Sequence, residues 1–169
     1  MRVLQTLLIT GVLILSASLL SVQPLQAEQA NIYAPVSLGD LVVNSGKRIC
    51  FTNQEIIIGS CWDFINAVYT RAGFGEGKRS AVFKSTRKGP FAPVDQIKPG
   101  DWIMFINHEY GDIEHSAIFI EWIDKDQKLA RTMGYVGERR ARVGEYYEHV
   151  IDSVFTIVRP KLVQRQMVK

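Results

Sequence analysis

Apolar positions fall along this chain in three different rhythms. From Val3 to Val22 they run almost unbroken, interrupted only by Gln5, Thr6, Thr10, Gly11 and small serines. From Cys61 to Ala72 the apolar positions Cys61, Phe64, Ile65, Val68 and Ala72 recur at three- and four-residue spacing, which predicts an amphipathic helix. Ser60 is placed to cap it, Asp63 completes a capping-box-like pair, and Gly73 supplies the stop. Beyond Pro99-Gly100-Asp101 the rhythm becomes that of strands. These are expected at Trp102 to Ile106, His115 to Trp122, Lys128 to Val136 and Ser153 to Val158, the last ended by Pro160.

The remaining segments carry weaker patterns. Residues 28–46 hold Pro35, Gly39 and Gly46 without clear periodicity, and are expected to form an extension draped over the domain. Arg48 to Phe51 and Glu55 to Ile58 flank Thr52-Asn53-Gln54 as a hairpin would, which makes Cys50 a buried strand residue. Residues 75–92 combine three glycines and Pro90 with Lys78, Arg79, Lys84, Arg87 and Lys88, and are expected to be a basic loop: a solvated surface, or a rim attracting a carboxylate-bearing or polyanionic substrate. Glu145 to His149 reads as a short helix. One helix followed by a meander of antiparallel strands is an α+β arrangement.

The first apolar run, with Arg2 ahead of it, Pro24 after it and Leu25-Gln26-Ala27 at its end, has the form of a secretory signal peptide over residues 1–27; an uncleaved anchor is the alternative. Cleavage after Ala27 removes one charge, Arg2, from a formal net charge of +3 and leaves a chain sized for one core. A nucleic-acid partner is not expected at that charge, nor a stable membrane span after cleavage. Hydrophobic residues at 47% and charged residues at 22% exclude a disordered or collagenous chain. The expected product is a monomer, periplasmic or secreted, with a domain at 47–160 and a basic tail at 161–169. In such a compartment Cys50 and Cys61 could be bridged.

Chemistry concentrates on Cys61. A thiol at a helix N-terminus feels the positive end of the helix dipole, but ~0.3–1 kcal/mol is less than one pKa unit at about 1.36 kcal/mol per unit. Activation therefore needs a cationic partner, and an imidazole within hydrogen-bond reach would supply it. Of the three histidines, His115 opens an apolar strand and is the candidate; His108 lies in the polar loop before it, as a solvated residue or a lid contact, and His149 sits beside two tyrosines. A metal site from Cys61, Asp63, His108 and His115 lacks any recognisable zinc spacing, and no cofactor motif is present.

Gly59-Ser60-Cys61-Trp62-Asp63-Phe64, Ile97-Lys98-Pro99-Gly100-Asp101-Trp102 and His115-Ser116-Ala117-Ile118-Phe119-Ile120, in that order and followed by Val158-Arg159-Pro160, resemble the NlpC-type cell-wall cysteine peptidases and the related CHAP amidohydrolases. The resemblance implies a compact papain-like fold, with Cys61 on its helix as nucleophile facing His115 on an antiparallel sheet as base. It also implies hydrolysis of a peptide or amide bond in peptidoglycan stem peptides. The family's third residue, which orients the imidazole, has no usual counterpart in Leu129 to Tyr135, and Thr132 is the candidate. Trp62, either a cleft wall or core filling, and His108 are the candidate substrate contacts; the Cys61 N–H is a candidate oxyanion donor. Two other readings stay open: a non-catalytic peptidoglycan-binding module with a Cys50–Cys61 disulfide, and an antibacterial amidase effector.

Overall fold

The computed structural model describes residues 35–135 and 142–162. The expected leader lies outside the described residues, as do Val136 and most of the basic tail. From Val36 onward the chain groups into one compact unit. It is α+β: two helices and a six-stranded antiparallel sheet.

The extension expected over 28–46 instead contains a helix, α1, at Leu38–Lys47. Ser37 caps it: its hydroxyl accepts from the Asp40 N–H at 3.0 Å, and its own N–H donates to the Asp40 carboxylate at 3.0 Å. The glycines that hide the pattern are contact points. A Cβ on Gly39 would lie 2.2 Å from the Pro99 carbonyl oxygen, and one on Gly46 2.2 Å from the Met133 Cε. The expected hairpin over 48–58 is also absent. α1 runs on into a π-turn at Arg48–Thr52, so Cys50 is buried as expected but on a helical turn rather than a strand. Of the second half of that hairpin, Ile56 forms an isolated bridge with Val143.

The second helix, α2, spans Cys61–Arg71 and begins where the spacing predicts. The strands are β1 Arg79–Lys84, β2 Trp102–Asn107, β3 Ile113–Asp124, β4 Leu129–Gly134, β5 Glu145–Val150 and β6 Val154–Pro160, in sheet order β1-β6-β2-β3-β4-β5. Two of these correct the expectations. The basic loop of 75–92 contains β1, and the short helix expected at Glu145 to His149 is β5. Both are edge strands, where charged and polar side chains face water and no apolar alternation appears.

The sheet buries both faces. Against the helices lie Trp102, Ile118 and Met133, packed with Val42, Phe64, Ile65, Val68 and Tyr69. On the other face Ile103, Phe105, Ala117, Phe119, Ala130 and Ile157 form a second core, closed by Ile97 and Ala92 from the segment between β1 and β2. Along β3 the two cores therefore alternate residue by residue, as the two-residue repeat of a strand requires. The β2–β3 register runs without a shift from Trp102↔Ile118 to Asn107↔Ile113. The Pro99-Gly100-Asp101 turn is tied to β6 by Arg159, whose guanidinium donates to both Asp101 carboxylate oxygens at 2.7 and 2.6 Å. Tyr69 holds the same turn from the helix side, donating to the Gly100 carbonyl at 2.7 Å and accepting from the Trp102 N–H at 3.0 Å.

Candidate functional site

Cys61 opens α2 on a rigidly held entry. Asp63 accepts from the Ser60 N–H at 2.7 Å and the Ser60 hydroxyl at 2.8 Å. The Tyr135 hydroxyl lies 2.7 Å from both the Gly59 and Ser60 carbonyl oxygens, donating its single proton to one at a time. The thiol that results is half-buried and free. Burial raises its pKa; hydrogen bonds at the backbone of Ser116, of Trp62 and of Cys61 itself, and at the Ser116 hydroxyl, pull it partly back. The group facing the sulfur from the sheet is thus Ser116.

His115 is next to Ser116 in sequence and on the opposite side of the sheet. Its ring is edge-on to Phe105, 5.5 Å between centroids and 80° between planes, and belongs with the second core. The sheet curls enough for β5 to bring the His149 ring to 5.9 Å from it. Only 6% of His115 is exposed, and burial, with the neighbouring His149 as a lesser cause, lowers its pKa to about 4. It is a neutral core imidazole. The expected Cys61–His115 pair is therefore not assembled, because one step along a strand turns a side chain through half a circle.

The other expected site residues are also placed elsewhere or otherwise. Thr132 is fully buried and donates to the Tyr147 carbonyl at 3.4 Å, within the β4–β5 pair, so it orients no imidazole. His108 is exposed at the β2–β3 turn; its Nδ1 sits 2.5 Å from the Asp112 carboxylate, and that hydrogen bond raises its pKa. Its partners, Asp112 and Asp152, lie away from α2 in the chain, and it does not touch the thiol. Cys50 is a second free thiol, buried, pushed up to about 12 by burial and then by the Glu145 charge. No Cys50–Cys61 bridge is formed. Among the described residues no group of three or more His, Cys, Asp and Glu could hold a metal ion.

Trp62 does stand in a cleft wall. It is 46% exposed, meets Trp102 edge-on at 5.6 Å, and lines a cleft of about 530 Å³ with Asn66, Thr70, Gly75, Glu76 and Arg79. No family model, no curated protein and no solved structure matches the chain. The site accordingly stands on what the structure places together: a half-buried thiol facing Ser116, and a polar cleft walled by the exposed Trp62 that follows it.

Ser116 and Arg79 are the residues that reading the sequence missed. Ser116 lies in a run buried on both faces, where no alternation of polar and apolar positions reveals which side chain faces the helices. Arg79 is one of several basic residues in its segment; its distinction comes from the aromatic rings beneath it.

Proposed function

We propose that this protein recognises peptides of the cell envelope on a helix-and-sheet frame of the papain-like, cysteine-peptidase type, and that it binds them rather than hydrolysing them, Cys61 and His115 forming no pair. The observation that carries this reading is Ser116 in the place over the Cys61 sulfur where the resemblance calls for an imidazole. A serine hydroxyl does not take up a thiol proton near neutrality, and burial holds that proton on the sulfur. The leader expected from the sequence over residues 1–27 and the cleft beside Trp62 agree with a ligand in the envelope.

A second reading has one observation in its favour. The backbone N–H groups of Ser116, Trp62 and Cys61 and the Ser116 hydroxyl lower the Cys61 pKa against the larger effect of burial, and so favour a thiolate once formed. On that reading the protein is a cysteine hydrolase of stem peptides whose proton acceptor is not His115.

One experiment separates them. The purified protein is incubated with peptidoglycan sacculi, its co-sedimentation is measured, and released fragments are followed by chromatography. Co-sedimentation without new fragments is expected. Fragments that appear with the wild type and vanish with Cys61→Ala would replace the binding reading by the hydrolytic one, and loss of co-sedimentation would overturn the envelope ligand altogether.

A further inference from the structure

Among the described residues, four buried side-chain nitrogens lack a hydrogen-bond partner, and they fall in two places. Two belong to His149. The other two are Arg79 Nη1 and Trp102 Nε1. These are neighbours: the Arg79 guanidinium carbon lies 5.3 Å from the centroid of the Trp102 ring and 5.9 Å from that of Tyr69. Both atoms are pure donors, so what is missing at this spot is an acceptor.

Arg79 is held rather than free. Its Nη2 donates to the Asn66 side-chain oxygen at 2.6 Å, and no carboxylate pairs with it among the described residues. A half-buried guanidinium over two aromatic faces, without a counter-ion, is an uncompensated charge in a low-dielectric setting. Arg79 lines the cleft of about 530 Å³, with Trp62 as an apolar wall, Thr70 as a polar one, and Gly75 and Gly77 on the far side, while Arg79 Nη1 and Trp102 Nε1 themselves stay buried. Glu76 on the same rim repels any anion, and repels a phosphate or polyanion more strongly than a single carboxylate because repulsion grows with charge.

We infer that the cleft between Trp62 and Arg79 binds the terminal carboxylate of a peptide, with Arg79 as its anchor, the Trp102 indole N–H as a second donor, and Trp62 packing on the adjoining residue. Planar, forked donation to a carboxylate is what distinguishes arginine from lysine at such a site. Trp102 is 3% exposed, so the ligand reaches its indole only when the exposed Trp62 ring gives way; binding must register at both rings. The inference rests on the envelope-peptide reading for the origin of the ligand, but not for the existence of the site.

The test uses the ¹⁵N-labelled protein and the indole N–H signals of its three tryptophans. It is titrated with acetyl-Ala-Ala bearing a free carboxylate, with the same peptide as its C-terminal amide, and with inorganic phosphate. The acid is expected to shift the Trp102 and Trp62 indole signals saturably in the millimolar range, as one carboxylate anchor allows. The amide leaves them in place, and Arg79→Gln weakens the acid by at least about tenfold. Should that variant lose its dispersed spectrum, Arg79→Lys keeps the charge without the fork and is expected to weaken binding to a similar degree. No indole shift with the acid, an equal shift with the amide, or an equal shift with phosphate each overturns the proposal. Sacculus binding that survives such a failure leaves the envelope reading standing, whereas peptide binding without sacculus binding removes that reading and leaves the cleft.

Discussion

The two faces of β3 hold two neighbouring side chains apart: Ser116 lies on the face packed against the helix that carries Cys61, and His115 on the other. On the helix face Ser116 meets the Cys61 sulfur at a half-open surface, under α2 and beside a polar cleft. On the other face His115 sits in a closed core with Phe105 and His149, shielded from water, and the Glu109 carboxylate stands 3.6 Å from His149 Nδ1. Chemically the helix face has an accessible thiol that burial keeps protonated, and the other has in His115 an imidazole that burial keeps neutral. A reactive pair needs both groups on one side, and the pleat of a single strand prevents it.

The sharpest way to break this contrast is to open the closed face. Phe105→Ala removes a fully buried ring that packs on both His115 and His149, and should cost about 3–5 kcal/mol in denaturant unfolding, as such ring truncations do. A cost below about 1 kcal/mol would mean that this face is not the packed core described.

Acid should do the same more gradually. His115 titrates near 6.5 when unfolded and near 4 when folded, so the folded state holds the neutral ring while the unfolded chain takes up a proton. That contribution is present in full above pH 6.5 and is lost as pH falls through the window down to about 4. Its size is about 3 kcal/mol at about 1.36 kcal/mol per pKa unit. His149, also lowered by burial, acts in the same direction, opposed by Glu109. Melting temperature followed from pH 7 to pH 4 should fall in the wild type and fall less in His115→Phe, which keeps a ring and loses the titration. Parallel curves for the two proteins would place the acid sensitivity elsewhere.

The smallest expected effect is the most diagnostic. Alkylation of Cys61 by iodoacetamide should be slower than that of a free thiol at pH 7.5 and rise into the alkaline range, because burial holds the thiol protonated. His115→Ala should leave that rate unchanged, since the sheet lies between the two residues. Rapid labelling below pH 7 that disappears in His115→Ala would show that the faces exchange and that a thiolate–imidazolium pair does form.

Burial decides which elements the sequence pattern reveals. α2 and the central strands β2, β3 and β6 were visible because they are buried, and burial imposes a clear apolar rhythm or run. β1 and β5 were invisible as strands because they are the sheet's edges, where Lys84, Glu145 and Glu148 are as acceptable as valines. α1 was hidden by Gly39 and Gly46, which look like breakers in a one-dimensional pattern. In the fold they let the helix approach Pro99 and Met133.

What the sequence determined by itself was the local content: a capped helix starting at Cys61, apolar strands, and a thiol and an imidazole available for pairing. Spacing along the chain carries that information because caps, turns and periodicity act over a few residues. Only the tertiary structure decided which neighbour in His115-Ser116 faces the thiol, and which arginine of a basic segment lies over Trp102. Both depend on strand register and sheet curl, which are set by contacts between residues far apart in sequence and leave no trace in a run that is apolar on both sides.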